Sequence, residues 1–287
     1  MIDTLKSKFE CIEDASLLNY NTYKLDTKCK LLMFPKDIYE LEEMVYILGD
    51  SKYFIIGNGS NIILPDYYDG VIIKLKFLNN YSITDDNILN VDSGVMINKL
   101  ALEISKLGYK GLEWASGIPG TMGGCIYNNA GCYGSEISDN LISVTILNDN
   151  RVYDLTKDEL QFSYRNSLLK GSNKFIILKA KFQLEKGNSK ELLELIKERT
   201  IKRKESQPLE YPSAGSVFKR PVGYFADESN LKGKTVGGAT ISEKHANFII
   251  NKGNATPKDI ISLIDIVKKT IKKNYNIDLV LEQEIIK

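Results

Sequence analysis

The chain has 287 residues, of which 43% are hydrophobic and 26% charged, the composition of a globular protein with room for two or three compact units. Its 38 basic and 37 acidic residues give a net charge of +1, which provides no electrostatic basis for binding nucleic acid or an anionic membrane. A single histidine, His245, is too little material for a histidine metal centre or a Ser-His-Asp triad, so we predict no metal site.

The amino-terminal residues predict a cytoplasmic protein, because they lack the apolar core and cleavage site of a signal peptide. No window approaches the roughly 18 apolar residues that a membrane span needs. The four cysteines form no C-x-x-C pair and no zinc-like spacing, which is typical of free thiols in a reducing compartment. We expect a monomer with neither a membrane nor a nucleic-acid partner.

The first third of the sequence predicts alternating helices and strands. A helix is predicted over 37–49, and a short buried strand at Tyr53–Ile56 runs into the sequence GNGSN at 57–61. A strand that opens into such a loop can present backbone N–H groups to a phosphate. A tight turn before a strand at Ile62–Leu64 is the alternative. Further predicted elements are strands at Val71–Leu75 and Ile88–Val91 and an amphipathic helix at Met96–Leu107.

The centre of the chain, GLEWASGIPGTMGGCIYNNAGCYG at 111–134, contains seven glycines in 24 residues. Glycine carries an entropic cost that an ordinary loop avoids by using Asn, Asp or Ser. Glycines placed among Trp114, Ile118 and Ile126 therefore indicate backbone packed against a large flat ligand, with N–H groups turned towards its anionic part. A buried turn between two core elements is the simpler alternative, and seven glycines in one segment argue against it.

Strands and helices continue to alternate in the second half, which predicts an α+β or α/β fold. A proline-containing boundary follows the helix predicted from Asn188 to about Lys204, at Gln207-Pro208. A second well-marked helix has Thr256 as its N-cap and Pro257 at its first position. The remaining predicted elements are strands at Val144–Leu147, Phe175–Leu184 and Leu279–Ile286.

Three residues could supply chemistry, although each has an ordinary alternative. Arg165 could pair with a carboxylate, but a surface salt bridge is the commoner role. Ser216, in a small-residue loop, has no histidine beside it and could relay a proton, or only cap a turn. Glu284 could hold a proton, or be a solvent-facing strand residue. The residues alone thus indicate a protein that binds a phosphate-bearing cofactor.

The sequence resembles the UDP-N-acetylenolpyruvoylglucosamine reductase (MurB) family, in its shorter subclass without an extra substrate-covering loop. The resemblance extends from about Thr22 to the end, and the central glycine-rich motif is its most specific part. The matching motifs, in order, are GNGSNIIL (57–64), the stretch 111–134, SYRNS (163–167), QPLEYPSAGSVFKRP (207–221), GGATISEKHANFIIN (237–251) and LEQEII (281–286).

The resemblance implies an α+β fold: a two-part FAD-binding unit of the vanillyl-alcohol-oxidase/PCMH type and a smaller α+β substrate-binding domain. The expected domains are 1–77 and 78–206 for FAD, with FAD between them, and 207–278 for substrate, with 279–287 packing back near the first. The flavin is expected to be non-covalent, since the one histidine lies outside the flavin motifs. The implied cofactor contacts are Gly57, Asn58, Gly59, Ser60, Asn61, Gly117, Ile118, Gly120, Thr121, Gly123, Gly124, Ala130 and Gly131.

The implied reaction reduces the enolpyruvyl ether of UDP-N-acetylglucosamine to UDP-N-acetylmuramate, with NADPH as the hydride donor to the flavin. Negative charge then builds on the substrate carboxylate, which calls for a fixed cation and a proton donor. By motif position Arg165 is the cation, Glu284 assists it, and Ser216 protonates the α-carbon. Weaker candidates for substrate contacts are Tyr164, Lys219 and Arg220.

The sequence departs from the family pattern at three places. Asp26-Thr27 replaces a Gly-Gly pair, Thr240 replaces a glutamine, and the segment 224–231 is about four residues shorter than its counterpart in the family. Two rival interpretations therefore stay open: another FAD oxidoreductase of the same superfamily, or a UDP-sugar- or flavin-binding relative without turnover.

Overall fold

The structure is a computed structural model that describes residues 1–171, 174–220 and 229–287. The helices of these residues are α1 (Ile2–Lys8), α2 (Ile38–Leu48), α3 (Ile97–Lys106), α4 (Met122–Tyr127), α5 (Ser189–Ser206) and α6 (Pro257–Tyr275). None of them is apolar enough over a sufficient length to cross a bilayer. The strands are β1 (Cys11–Ser16), β2 (Lys28–Met33), β3 (Tyr53–Ile56), β4 (Ile62–Ile63), β5 (Tyr67–Lys74), β6 (Tyr81–Ile83), β7 (Ile88–Asp92), β8 (Tyr109–Lys110), β9 (Gly131–Cys132), β10 (Ser135–Glu136), β11 (Leu141–Asn148), β12 (Arg151–Thr156), β13 (Ile176–Gln183), β14 (Glu185–Lys186), β15 (Thr235–Val236), β16 (Ala239–Ile241), β17 (Ile249–Asn251) and β18 (Glu284–Ile285).

The chain folds into two compact units, each built from three separate segments. Unit 1 comprises Met1–Glu13, Leu31–Gly57 and Gly70–Thr200. Unit 2 comprises Asp14–Lys30, Asn58–Asp69 and Ile201–Lys287. The domain boundaries at 77/78, 206/207 and 278/279 stay predictions.

A five-stranded antiparallel sheet in the order β12–β11–β13–β7–β6 forms the main layer of unit 1. Strands β11 and β12 are joined by Asp149 and Asn150, whose φ angles of 46° and 59° are those of a tight two-residue hairpin. Apolar side chains of β11 and β13 pack against helix α3 and the fully buried Trp114. The sheet therefore supports the glycine-rich centre through a continuous hydrophobic core.

A second sheet, in the order β1–β2–β5–β3, contains the strand that precedes the GNGSN loop. Strands β3 and β5 are parallel, with Tyr53 opposite Val71 and Ile56 opposite Lys74. Helix α2 packs on the same core as Val71, through the buried residues Leu41, Met44 and Leu48. The predicted helix and strand in this region are confirmed.

Unit 2 is built on helix α6 and the antiparallel sheet β15–β16–β17. The helix begins as predicted, because Thr256 and Asp259 cap each other's backbone N–H groups and Pro257 follows the cap. Its buried face contains Ile260, Ile264 and Val267.

The prediction of one strand over Leu279–Ile286 is wrong, because only Glu284–Ile285 forms a strand. The segment changes partner along its length. It first pairs with the loop at 217–219, where Lys219 N–H donates to the Val280 carbonyl at 2.9 Å. It then pairs in parallel with β4. Alternation of apolar residues does not reveal such a change of partner, since both pairings are extended.

Candidate functional site

Gly57 follows strand β3 and lies against the glycine-rich centre within unit 1. A Cβ on Gly57 would lie 2.6 Å from Thr121 Oγ1, so a larger residue there would require Thr121 to move. The ammonium group of Lys74 donates a hydrogen bond to the Gly57 carbonyl. Burial lowers the pKa of Lys74 to about 8. The start of the first predicted cofactor loop is thus bonded to Lys74 and lies close to Thr121.

The glycine-rich centre is fixed by backbone bonds to the strand end at Ser93–Val95. Gly123 N–H donates to the Ser93 carbonyl at 2.8 Å, and Met122 N–H to the Val95 carbonyl at 2.8 Å. A Cβ on Gly123 would lie 3.0 Å from the Ser93 Cβ, so the close approach requires a very small residue. Within the described chain the buried Ser93 Oγ has no hydrogen-bond partner.

Arg165 occupies a tight turn that is tied to the glycine-rich centre. Its φ of 54° is left-handed, and Ser163 and Asn166 exchange backbone hydrogen bonds across it at 3.1 and 3.0 Å. The guanidinium donates to the Asn129 carbonyl at 3.2 Å and to the carbonyl of Gly131, a predicted cofactor residue. A guanidinium has five N–H groups, so these bonds fix its orientation and are compatible with a bidentate contact to a carboxylate.

Asn129 is the residue that locks this turn in place. It is fully buried, and its side-chain amide donates to the Ser163 carbonyl at 3.1 Å while accepting from Ser138 N–H at 3.2 Å. The neighbouring Tyr164 is 46% exposed, with its ring centroid 5.0 Å from the Arg165 guanidinium carbon.

The remainder of the GNGSN loop, Asn58–Asn61, belongs to unit 2. Gly59 is buried with a φ of 61°, and a Cβ there would lie 2.2 Å from the Tyr20 carbonyl oxygen. Its own carbonyl accepts a bond from Thr22 N–H at 3.1 Å. Asn61 donates from its side chain to the Glu282 carbonyl at 3.0 Å.

Gln283 brings together the two predicted catalytic segments of unit 2. Its buried side-chain amide donates to the carbonyls of Ala214 and Gly215, at 3.1 and 3.2 Å, immediately before Ser216. Its oxygen accepts from the buried Tyr23 hydroxyl at 3.0 Å. The next residue, Glu284, donates its backbone N–H to the Asn61 carbonyl at 3.0 Å. Ser216 and Glu284 are both partly buried.

Of the weaker candidates in this unit, Lys219 is partly buried and pairs through its backbone with Val280, whereas Arg220 is exposed. Sequence reasoning missed Gln283, Asn129 and Lys74 as supports of the site. Gln283 lies inside the recognised LEQE motif and Asn129 inside the glycine-rich centre, so motif position could have identified them. Lys74 gave only a weaker signal, a charged residue at the end of an apolar strand.

The structure shows where two of the departures from the family pattern lie and what they contact. Thr27 is fully buried, and its Oγ1 has no hydrogen-bond partner in the part of the chain that the structure describes. Thr240 is also fully buried and shares a 2.9 Å hydrogen bond with the Thr235 hydroxyl on the neighbouring strand, so it serves the β15–β16 pair. Most of the shortened segment at 224–231 lies outside the described residues.

The residues present fit an FAD site. Within unit 1, a Cβ would lie 2.6 Å from Thr121 Oγ1 at Gly57 and 3.0 Å from the Ser93 Cβ at Gly123. Backbone without side chains at such packed positions is compatible with the close approach that the diphosphate of a dinucleotide needs. Among the described residues no group of three or more histidine, cysteine or acidic side chains could hold a metal ion.

Two family models match the chain. Residues 29–151 match the FAD binding domain, and residues 207–286 match the UDP-N-acetylenolpyruvoylglucosamine reductase C-terminal domain. The two matches cover both of the glycine loops as well as the segments of Ser216 and Glu284.

Similar proteins agree with both matches. The UDP-N-acetylenolpyruvoylglucosamine reductase of Clostridium tetani is 44% identical over 93% of this chain and 89% of its own length. The crystal structure of UDP-N-acetylenolpyruvylglucosamine reductase (MurB) from Thermus caldophilus is 30% identical, with a TM-score of 0.83 over 97% of this chain and 98% of that one. The glucose dehydrogenase Phl p 4.0202 shares the fold alone, with 12% identity and a TM-score of 0.50 over 62% of this chain and 42% of that one.

The predicted family, the α+β fold with its FAD-binding unit, and the FAD cofactor are confirmed. The chain belongs to the UDP-N-acetylenolpyruvoylglucosamine reductase (MurB) family of FAD-dependent oxidoreductases.

Proposed function

We propose that this chain reduces UDP-N-acetylglucosamine enolpyruvate to UDP-N-acetylmuramate with NADPH, a step in peptidoglycan precursor synthesis. Family membership supports this reaction. One feature of the structure supports it further: Gln283 bonds to the backbone just before Ser216, while the adjacent Glu284 pairs with Asn61. A loop, a terminal acid and a cofactor motif that are far apart in sequence therefore meet within unit 2.

Three side chains have distinct roles in the proposed mechanism. Bound FAD supplies hydride transfer from NADPH to the substrate. Arg165, oriented by the carbonyls of Asn129 and Gly131, neutralises the charge that develops on the substrate carboxylate. Glu284 assists at the same end of the substrate, and Ser216 donates the proton that the α-carbon receives.

The cofactor is proposed to be held non-covalently, with its diphosphate on the backbone of the loops 57–61 and 117–124, and with Ala130 and Gly131 as further contacts. Tyr164, Lys219 and Arg220 are proposed substrate contacts. We also propose that the protein is a cytoplasmic monomer. We propose no membrane or nucleic-acid partner, since its net charge of +1 gives no general attraction to either.

The test measures the reduction of the flavin by NADPH separately from its reoxidation by the enolpyruvyl nucleotide. Under anaerobic conditions NADPH is expected to bleach the flavin, and the enolpyruvyl nucleotide is expected to restore its colour. Ser216→Ala should leave reduction by NADPH unchanged and slow the second step by about 10²–10⁴-fold, the usual contribution of a proton donor.

Ser213→Ala, the same change in the same loop, is the matched control and should behave as wild type. Protein without affinity for FAD would refute the proposed function, as would reduced flavin that does not react with the enolpyruvyl nucleotide. Equal second-step rates in the two variants would instead remove Ser216 from its role.

A further inference from the structure

Lys74 lies at a point where the sheet meets the first glycine loop. The register of the parallel pair β3–β5 places it opposite Ile56, the residue before Gly57. Side chains alternate along a strand, so Lys74 lies on the face opposite to Val71 and Ile73, which pack in the core with helix α2. The strand register therefore places the Lys74 ammonium group at the beginning of the GNGSN loop.

Lys74 and the glycine-rich centre both lie next to Gly57. Lys74 donates a hydrogen bond to the Gly57 carbonyl, while Thr121 Oγ1 occupies the place where a Cβ would project. Thr121 also accepts a bond from Gly124 N–H at 3.4 Å. Of the residues that these contacts join, Gly57, Thr121, Gly124 and Lys74, only Lys74 carries a charge.

Burying the charged ammonium group of Lys74 is unfavourable for folding. Burial is the sole cause of its lowered pKa, so no carboxylate among the described residues offsets the loss of water. Lys76, two residues further on, is exposed and forms an ion pair with Glu10 at 3.1 Å. An apolar residue would fit the end of β5 at a lower cost in stability, which argues that the ammonium has a task other than folding.

We propose that Lys74 is a positioning residue for the FAD-binding loop. Carbonyl and N–H point in opposite directions across a trans peptide bond. By holding the Gly57 carbonyl, Lys74 turns the N–H of Asn58 to the other side of the peptide, and its charge polarises that N–H as a donor. The inference rests on the proposed function, in which these amides bind the cofactor diphosphate.

The test titrates flavin-free full-length protein with FAD and follows flavin fluorescence. Lys74→Met should weaken FAD binding by about tenfold or more, because the loop would no longer be held in the binding conformation before FAD arrives and FAD would have to order it. The thermal midpoint of the flavin-free variant should equal or exceed that of wild type, because a desolvated charge has been removed. Lys74→Arg, which keeps charge and donors, should retain most of the affinity.

Lys76→Met is the matched control, since it removes the same charge two residues away and should leave the FAD dissociation constant unchanged. A purely structural role for Lys74 predicts the opposite result, a lower thermal midpoint with unchanged FAD affinity, and would overturn the inference. Equal loss in both methionine variants would also overturn it, by showing a general effect of charge. Failure of wild type to bind FAD would refute the proposed function instead, so the two failures are distinguishable.

Discussion

Replacing Gln283 with methionine tests the network that joins the motifs of unit 2. The two side chains are similar in size, so the substitution removes hydrogen bonds with little change in volume. Three contacts are lost: those to the Ala214 and Gly215 carbonyls and the one from the Tyr23 hydroxyl, at 3.1, 3.2 and 3.0 Å. At about 1 kcal/mol for each buried hydrogen bond, the free energy of unfolding should fall by about 3 kcal/mol.

The comparison variant is Tyr23→Phe, which removes one of the three contacts and should lower the free energy of unfolding by about 1 kcal/mol. Urea unfolding followed by circular dichroism measures both values. The double variant should lose about as much as Gln283→Met alone, since the Tyr23–Gln283 bond is counted once. If Gln283→Met proved no more destabilising than Tyr23→Phe, the two backbone contacts would carry no energy and the reasoning would be refuted.

The remaining predictions concern a cation, a glycine and a helix cap. Arg165→Lys should slow substrate-dependent reoxidation by about 10²-fold, because an ammonium cannot form the two parallel bonds, and stopped-flow reduction by NADPH should not change. Gly59→Ala should weaken FAD binding by at least about tenfold, because its Cβ would lie 2.2 Å from a backbone oxygen; Gly171→Ala, also at positive φ but in open space, should bind FAD normally in the same titration. Hydrogen bonds from Thr256 and Gly238 lower the pKa of Asp259, so its stabilising effect is present above about pH 4 and is lost as pH falls through the folded-state pKa. The difference in urea midpoint between wild type and Asp259→Asn should therefore be constant from pH 7 down to about pH 4 and shrink as the pH is lowered further, and a difference that stays constant in acid would contradict this assignment.

Much of the fold could be predicted because local signals agree with the tertiary structure. Helix α6 begins where Thr256 and Pro257 place it, and β3 has the predicted bounds Tyr53–Ile56. Short strands such as β8 and β14 were not predicted, since each has two residues and only their mutual pairing defines them. The C-terminal strand was overextended because its partner changes within a few residues.

The sequence predicts the loops of the candidate site more readily than the residues that support them. Clustered glycines mark the two proposed cofactor loops, because glycine allows backbone to approach closely. Gln283 acts on carbonyls 68 and 69 residues away, and Asn129 on one 34 residues away. No local sequence pattern predicts such a contact. Every residue has a backbone carbonyl, and the sequence does not indicate which one a distant side chain will bind.

The wide sequence separation of the contacts in unit 2 has a consequence for synthesis on the ribosome. Asn61 pairs with Glu282, 221 residues later. At about 5–20 residues per second, the Gly59–Asn61 loop waits ~10–45 s for that partner to be translated. The β11–β12 hairpin of unit 1, by contrast, finds its pairing within a few residues. Nascent chains should therefore bury the sheet of unit 1 early and leave the segments around Leu25 and Ile63 in need of protection from aggregation until translation is nearly complete.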